Sequence, residues 1–310
     1  MNIQQIEYIL AVKDSKNFGQ AADQCFITQS TLSTMIARFE DEIGLKIFDR
    51  KTKPVTITLE GAQVIKQLEI ISNELDNLSD VVKRIKGQLD VNLKIGAIPT
   101  VAPYLFPLFL SAFIQKFNEY QFEISEISTA QIVEKILSRE IDIGIVSTPL
   151  NHPDLKEHHL YDESFYLYDR LNKNNDLLHI SEIDLDRLWI LEEGHCLRNQ
   201  VKKICDLPPR KMINGNLHYK SGSLETLMKF VNNNNGLTFL PQLATKDLKE
   251  EEKQYLKAFS NPVPARSIGL IVHKHFAKND LLVQLKEAIL LAVEKVISNL
   301  NEELKIVSPF

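Results

Sequence analysis

The chain has 310 residues, of which 44% are hydrophobic, and a formal net charge of -5 at pH 7. This length can support two or three compact units, but the negative charge excludes a globally basic surface, so only local groups could bind DNA. Three cysteines, no signal-type N-terminus and no apolar run of bilayer length predict a cytoplasmic protein that makes no membrane contact. The sequence has no Cys/His cluster with zinc spacing and no Gly-rich phosphate loop, so we expect neither a metal nor a cofactor.

Residues 1–58 have the pattern of a compact winged helical unit. Apolar residues at helical spacing predict a first helix from Ile3, and Phe18 begins a second. Thr28 is a good N-cap for a third helix, in which apolar residues from Leu32 to Ile43 recur at 4-3-4 spacing and must face inward. Polar side chains lie off this apolar face and can enter a major groove: Gln29, Ser30, Ser33, Thr34 and Arg38.

A short wing follows the third helix. Alternation in residues 55–58 predicts a strand. The loop before it carries three cations that can contact phosphates or the minor groove: Arg50, Lys51 and Lys53. Over residues 1–60 acids slightly outnumber bases, with Glu40, Asp41 and Glu42 in a row, which argues against strong non-specific DNA binding.

Residues 59–87 predict one long helix, which begins after Thr58 as N-cap and ends at Gly87. Its apolar residues follow unbroken 4-3 spacing: Val64, Leu68, Ile71, Leu75, Leu78, Val82 and Ile85. Such a heptad seam predicts a coiled coil that joins two chains. A long helix packed on its own domain is the alternative.

From residue 91 onward, apolar strands alternate with helical segments, which predicts an α/β domain over residues 91–310 with an open, mostly parallel sheet. We expect two subdomains separated by a cleft, one formed by residues 91–162 and 268–300 and the other by residues 163–267. Thr100 and Thr129 each follow a strand and precede a helix, at the sheet edge where such folds bind ligands. Simple helix capping is the alternative role of both threonines.

The stretch from residue 189 to residue 205 carries the most informative chemistry. Residues 189–191 predict a short buried strand, and a helix then begins at or near Cys196. The helix N-terminus and the neighbouring His195 and Arg198 favour a thiolate. Cys205 follows nine positions later, about 13 Å away along a helix, whereas a disulfide requires Cα atoms within about 7 Å. Oxidation would have to unwind the helix. A buried, inert cysteine is the alternative.

The run from Gly194 to Gln200, with a second cysteine nine residues after the first, resembles the sensor segment of OxyR-type peroxide regulators, a branch of the LysR-type transcription factors. Segments 98–105, 223–227 and 266–270 also look like that branch, and the resemblance covers nearly the whole chain. It implies a multidomain α/β architecture with an N-terminal winged helix-turn-helix and a linker helix that dimerises. A periplasmic-binding-protein-like effector domain of two α/β subdomains would follow.

The resemblance also implies roles for single residues. Cys196 would be the peroxidatic cysteine and Cys205 the resolving cysteine of a reversible disulfide. The residues that would line the peroxide pocket are Thr100, Thr129, His195 and Arg266. Without the resemblance, His195 could be a hydrogen-bonded core residue and Arg266 part of a surface ion pair. The implied partners are double-stranded promoter DNA, hydrogen peroxide, further copies of the chain in a dimer of dimers, RNA polymerase and a thiol reductant.

Two other functions are compatible with parts of the sequence. A LysR-type regulator could instead bind a small metabolite in the effector-domain cleft, with inert cysteines. A thiol peroxidase or cysteine hydrolase could use His195 and Cys196, but adjacent residues rarely form a catalytic pair, because base and nucleophile must be brought together by the fold. An enzyme would also leave the N-terminal unit without a role, so we expect a regulator and not an enzyme.

Overall fold

The chain forms two units, Met1–Asp90 with Ser138–Glu140 and Val91–Leu137 with Ile141–Phe310. The computed structural model describes residues 1–85, 91–173, 176–207, 222–276, 278–297 and 303–310. Within these ranges, no helix combines the length and the apolar composition that crossing a bilayer requires.

Helices dominate the N-terminal unit, as predicted. They are α1 (Ile3–Ser15), α2 (Phe18–Gln24), α3 (Gln29–Ile43) and α4 (Leu59–Ile85). Thr28 caps α3, since its Oγ1 accepts a hydrogen bond from a backbone N–H three residues later. The helix ends at Gly44, whose φ of 72° suits a left-handed C-cap. Leu32, Ile36 and Phe39 are at most 1% exposed, which confirms the predicted inward face.

The wing consists of β1 (Phe48–Asp49) and β2 (Thr56–Ile57), which pair antiparallel. The strand predicted over residues 55–58 is thereby confirmed. Thr58 then caps α4, because its Oγ1 accepts a hydrogen bond of 2.9 Å from the N–H of Gly61. A side chain at Gly61 would place its Cβ 2.3 Å from the carbonyl oxygen of Ile47, so only glycine allows this close approach of helix and wing.

The apolar stripe of α4 has two different surroundings. Near the start of the helix, Leu68 is 3% exposed, and Val64 and Ile71 contact the core formed with α1 and α3. Further along, Leu78 is 59% exposed and Val82 is 40% exposed. Packing on its own unit therefore accounts for the first half of the stripe, whereas Leu78 and Val82 are left exposed by the described residues. Gly87, the predicted helix end, lies outside the described residues.

Strands and helices alternate in the second unit, which confirms the predicted mixed α/β architecture. The strands are β3 (Val91–Ala97), β4 (Tyr120–Glu126), β5 (Ile143–Thr148), β6 (Leu155–Asp169), β7 (Leu237–Pro241), β8 (Leu256–Lys257), β9 (Val263–His273) and β10 (Leu304–Ile306). The helices are α5 (Ala102–Lys116), α6 (Thr129–Leu137), α7 (Cys196–Ile204), α8 (Leu224–Asn233), α9 (Glu250–Lys253) and α10 (Asn279–Glu294). Helix α10 ends at Glu294, and residues 298–300 lie outside the described ranges.

The sheet has the order β4-β3-β5-β9-β6-β7. Strand β3 pairs parallel with β4 and β5, whereas β9 pairs antiparallel with β5 and β6, and β6 with β7. The expectation of a mostly parallel sheet is therefore wrong. Its cause is the pair of long strands β6 and β9, of 15 and 11 residues, which run side by side in opposite directions along the domain.

Two hydrophobic clusters fill the second unit. The first is built around β3, β5, α5 and α10, and the second around β7, α7 and α8. Cys196 belongs to the first cluster, whereas the next residue, Leu197, belongs to the second. The start of α7 therefore lies where the two clusters meet.

Candidate functional site

Helix α7 begins at Cys196 and is followed directly by Cys205 as its C-cap. His195 is the N-cap, although its side chain makes no capping hydrogen bond. Gly194, just before it, has a φ of 98°, in the left-handed region that glycine adopts without strain. The predicted position of Cys196 at a helix start is confirmed.

The strand predicted at residues 189–191 is wrong. Only Leu188 forms a β-bridge there, with Leu237 in β7. The N–H of Trp189 donates to the Leu237 carbonyl at 2.8 Å, but the Trp189 carbonyl accepts from the side-chain hydroxyl of Thr238. A side-chain hydrogen bond thus replaces the next main-chain hydrogen bond between the two segments. Strand pairing with β7 therefore ends after Leu188.

Both cysteines are free thiols, and they lie in different surroundings. Cys196 is 4% exposed, whereas Cys205 is half-buried against the second hydrophobic cluster. The helical rise places their Cα atoms about 13 Å apart. Because a disulfide requires less than about 7 Å, the two thiols can join only if α7 loses its helical form.

Burial is the largest influence on Cys196 and raises the pKa of its thiol. The charge of Arg266, the Thr129 hydroxyl and the backbone N–H groups of Cys196 and Leu197 all act in the opposite direction. The expected net preference for a thiolate is therefore wrong in this conformation, although the helix start does stabilise the anion. Burial alone raises the pKa of Cys205 to about 12, so only Cys196 has groups that favour its ionisation.

The cation that acts on Cys196 is Arg266, not His195 or Arg198 as expected. Arg198 turns away, because its Nη1 donates at 2.7 Å to a backbone carbonyl seven residues earlier. Burial lowers the pKa of His195, an effect that Glu192 partly opposes, and the two side chains are 4.0 Å apart. A neutral imidazole adds no positive charge to the site.

Arg266 is completely buried and joins three segments of the chain. Its Nε donates to Glu163 Oε1 at 2.8 Å. Its Nη1 donates to Thr100 Oγ1 at 2.9 Å, and its Nη2 to the Thr100 carbonyl at 3.0 Å. The surface ion pair considered for Arg266 is therefore wrong, because the pair is formed in the interior.

Neither threonine caps a helix. The N-cap of α5 is Val101, which makes no side-chain capping bond, and the hydroxyl of Thr100 accepts from Arg266 instead. At α6 the capping hydroxyl belongs to Ser128, whose Oγ accepts from the N–H of Gln131 at 3.4 Å. The hydroxyl of Thr129 is thus left for Cys196.

Sequence reasoning missed Glu163, which holds Arg266. The two residues face each other in the register of β6 and β9, and both are 0% exposed. The second carboxylate oxygen, Oε2, accepts from the N–H of Leu243 at 2.9 Å. The sequence interpretation instead places a subdomain boundary at residues 162–163. The apolar run that follows directly could have identified Glu163, because it predicts a buried strand. An acid inside a buried strand requires a partner.

Gln200 is a second residue that sequence reasoning missed. It lies one helical turn after Cys196 and is 0% exposed. Its Nε2 donates to Ser147 Oγ at 3.1 Å and to the Val307 carbonyl at 2.8 Å. Its Oε1, like Thr129 Oγ1, has no hydrogen-bond partner of ordinary geometry among the described residues. Buried unpaired polar atoms are rare, and both residues belong to the segments around Cys196. In the part of the chain that is described, no three His, Cys, Asp or Glu side chains are grouped to hold a metal ion.

The predicted DNA-contacting residues lie on the surface of the N-terminal unit. Most are exposed: Gln29, Ser30, Thr34, Arg38, Arg50, Lys51 and Lys53. Ser33 is half-buried, and its Oγ accepts from Arg50 Nη1 at 2.8 Å, which ties the wing to α3. Arg50 also lies 3.4 Å from Glu40 Oε2 and 4.9 Å from the ring centre of Phe18.

Glu40 does not belong to an exposed acidic run, contrary to the interpretation of residues 40–42. It is 1% exposed, and its Oε1 accepts from the N–H groups of Ile47 at 2.8 Å and Phe48 at 3.2 Å. Its charge is further balanced by Arg50. The acid therefore fixes the base of the wing and repels DNA less than the sequence suggested.

Two family models match the chain. The model described as "Bacterial regulatory helix-turn-helix protein, lysR family" matches residues 3–62. The model described as "LysR substrate binding domain" matches residues 86–290. Together they cover the winged unit and most of the α/β unit.

Individual relatives agree with these matches. The DNA-binding transcriptional dual regulator OxyR of Escherichia coli is 30% identical over 292 residues, which are 93% of this chain and 95% of that protein. The hydrogen peroxide-inducible genes activator of Haemophilus influenzae is 31% identical over 277 residues, 87% of this chain and 90% of its own. A full-length OxyR variant from Pseudomonas aeruginosa has a TM-score of 0.71 and 28% identity, and the match covers 94% of this chain and 98% of that one. The chain therefore belongs to the LysR family of bacterial transcription regulators, in the branch that contains the OxyR proteins.

Proposed function

We propose that this DNA-binding regulator senses hydrogen peroxide through Cys196 and stores the signal as a reversible Cys196–Cys205 disulfide. The observation that carries the proposal is the site at the start of α7, where a buried thiol meets Arg266 and Thr129. A second thiol follows the other end of the same helix. The function named for the Haemophilus influenzae relative, activation of peroxide-inducible genes, supports the same assignment.

Oxidation proceeds in two steps, formation of a sulfenic acid at Cys196 and then formation of the disulfide. The Cys196 thiolate attacks one oxygen of hydrogen peroxide, so that an S–O bond forms, the O–O bond breaks and the other oxygen leaves as water. The Cys205 sulfur then attacks the Cys196 sulfenic acid, so that an S–S bond forms and the S–O bond breaks. The two thiol protons end in the two water molecules. Helix α7 unwinds in the second step, because its ends must approach from about 13 Å to within about 7 Å.

We assign the peroxide pocket to Thr100, Thr129, His195 and Arg266. Arg266 would stabilise the thiolate and the oxygen that leaves, since a fixed positive charge acts strongly in a buried site. Thr129, whose hydroxyl acts on Cys196, would also hydrogen-bond a peroxide oxygen. Thr100 would hold the guanidinium in place. His195, turned toward Glu192, would border the pocket as a neutral group.

We further propose a division into a DNA-binding domain (1–58), a linker and dimerisation helix (59–87) and an effector domain (91–310). The effector domain would comprise subdomain I (91–162 plus 268–300) and subdomain II (163–267). Helix α3 would enter the major groove of promoter DNA, and the wing would contact its backbone. Two chains would pair through α4, and two such dimers would form a homotetramer. RNA polymerase and a thiol reductant would be the further partners of this cytoplasmic regulator.

A peptide map under non-reducing conditions, before and after peroxide, tests the proposal. We expect a peptide pair that links Cys196 to Cys205 only in the treated sample, and its loss after reduction. If peroxide leaves both thiols free, a LysR-type regulator gated by a small metabolite becomes the better interpretation. Sustained turnover of peroxide with a thiol reductant would instead indicate an enzyme.

Replacing Cys205 with serine should separate the two steps. In Cys205→Ser, sulfenic acid should form at Cys196, persist without an intramolecular partner and proceed to sulfinic acid with excess peroxide. A dimedone-type probe and peptide mass spectrometry would locate it. In the matched variant Cys196→Ser, Cys205 should remain largely unlabelled, because burial raises its pKa to about 12 and disfavours the reactive thiolate. Labelling of Cys205 before Cys196 would reverse the assigned roles.

Replacing Leu78 with lysine should weaken the dimer. This side chain is 59% exposed within one chain, so a charge there costs the monomer little. In a coiled-coil seam the same charge would lose its hydration, which should weaken association by roughly two orders of magnitude. Light scattering at micromolar concentration measures the change, and Gln63→Lys, exposed on α4 outside the seam, is the matched control. A monomeric wild-type protein would contradict the coiled-coil assignment.

A further inference from the structure

The segment of residues 303–310, here called the strap, runs from β9 to α7. Its first part is β10, which pairs parallel with β9 in the register Leu304 to Val263 and Ile306 to Ala265. The N–H of Val307 then donates to the Ala265 carbonyl at 2.8 Å. Ala265 precedes Arg266 of the candidate site directly, so the strap is anchored beside that site.

Beyond β10, the strap is held by side chains of α7. Each of three helix residues donates a hydrogen bond to a main-chain oxygen of the strap: Gln200 Nε2 to Val307 (2.8 Å), Asn199 Nδ2 to Pro309 (3.3 Å) and Lys203 Nζ to Phe310. Val307 and Pro309 are buried in this contact region. The strap therefore binds the helix that separates the two thiols.

These three donors reach the strap together only while α7 is helical. Residues 199, 200 and 203 are neighbours on one side of a helix, because positions three and four apart lie next to each other on its surface. An extended or looped segment would point them in different directions. The helical form is also the form in which Cys196 and Cys205 are too far apart to join.

We propose that the strap stabilises α7 in its helical form, in which both thiols are free, and that it detaches from α7 when the Cys196–Cys205 disulfide forms. The inference rests on the proposed function. A segment that binds only one of two states stabilises that state, so the strap must oppose disulfide formation and must lose its α7 contacts as the disulfide closes. The anchor at β9, which includes the N–H of Val307, does not involve α7, so it stays in place while residues 308–310 come free.

The test compares the rate of disulfide formation after a peroxide pulse, with thiols trapped by alkylation and quantified by mass spectrometry. In the full-length double variant Asn199→Ala and Lys203→Ala, two strap contacts are removed and the disulfide should form about tenfold faster. Gln200 stays unchanged because it lies beside Cys196. Alanine favours helix, so a weakened helix cannot explain an acceleration. Lys202→Ala, in the same turn and without a hydrogen bond to the strap among the described residues, is the matched control and should keep the wild-type rate.

A second variant leaves α7 untouched. A chain that ends at Ile306 lacks all three acceptor residues, whereas the double variant loses two of the three contacts, so the disulfide should form at least as fast in the shortened chain as in the double variant. Hydrogen exchange of the peptide covering 303–310 should also increase on oxidation of the wild-type protein.

Two results would refute the proposal that the strap stabilises helical α7. One is the same rate of disulfide formation in both variants and the wild type, and the other is unchanged hydrogen exchange of the strap on oxidation. Dimedone labelling in a Cys205→Ser background distinguishes the two levels of failure. If Cys196 forms no sulfenic acid, the proposed function fails and the strap inference fails with it. If sulfenic acid forms and only the rates are unchanged, the strap inference alone is refuted.

Discussion

Cys196→Ser is expected to abolish the response of the full-length protein to peroxide while leaving its DNA binding intact. Serine matches the shape of cysteine, but its hydroxyl neither ionises near neutral pH nor forms a sulfenic acid, so both steps of the signal are lost. Burying a hydroxyl in place of a thiol should cost about 1 kcal/mol, which is small beside the stability of a folded domain. The variant should therefore fold.

The measurement is transcription in vitro from a target promoter, with and without peroxide, together with DNA binding. Cys25→Ser is the matched control, because Cys25 is a half-buried thiol in the N-terminal unit, remote in sequence from α7. That variant should respond like the wild type. An undiminished response of Cys196→Ser would remove the basis of the sensor assignment.

Glu163→Ala is expected to destabilise the effector domain by about 3–5 kcal/mol, because it leaves Arg266 charged and unpaired in the interior. Both side chains are 0% exposed, and the carboxylate also accepts the N–H of Leu243. A loss of this size is a large part of the roughly 5–15 kcal/mol that stabilises a typical domain. Urea denaturation followed by circular dichroism would measure the change.

A double variant separates stability from function at this pair. Glu163→Ala with Arg266→Met removes both charges and keeps most of the buried volume, so it should recover much of the lost stability. Its Cys196 should nevertheless react with peroxide more slowly than in the wild type, because the cation that favours the thiolate is lost. A double variant no more stable than Glu163→Ala would show that the cost does not come from the unpaired charge.

Periodic signals were sufficient to predict the helices, but not the contacts of the site. The stripe of Leu32, Ile36 and Phe39 fixes α3, and the apolar residues after Cys196 fix α7. Strand β6 escaped prediction because its acids interrupt the apolar pattern at the point where Glu163 meets Arg266. That partnership depends on the register of two strands distant in sequence, which spacing along the chain does not contain.

The electrostatic expectation for Cys196 failed for a related reason. The expectation rests on His195 and Arg198, which are close to Cys196 in sequence. In the fold, Arg198 points away from Cys196, and the nearby cation is Arg266 from β9. Burial of the thiol could not be weighed either, since it depends on the cluster formed by β3, β5 and α5. The proposed assignment of the pocket residues rests on the resemblance to a known family, because local patterns left it open.

The position of α7 in the second hydrophobic cluster also has a consequence for how oxidising the cell must be before the regulator responds. Leu197 and Val201 are 2% and 3% exposed, and unwinding the helix withdraws them from that cluster. Exposing two such side chains costs about 3–6 kcal/mol. For a two-electron couple, 1.4 kcal/mol corresponds to about 30 mV, so this packing should make the reduction potential of the proposed Cys196–Cys205 disulfide less negative by roughly 60–130 mV. Substitutions that shorten Leu197 or Val201 should shift that potential in the negative direction and lower the peroxide level at which the protein switches.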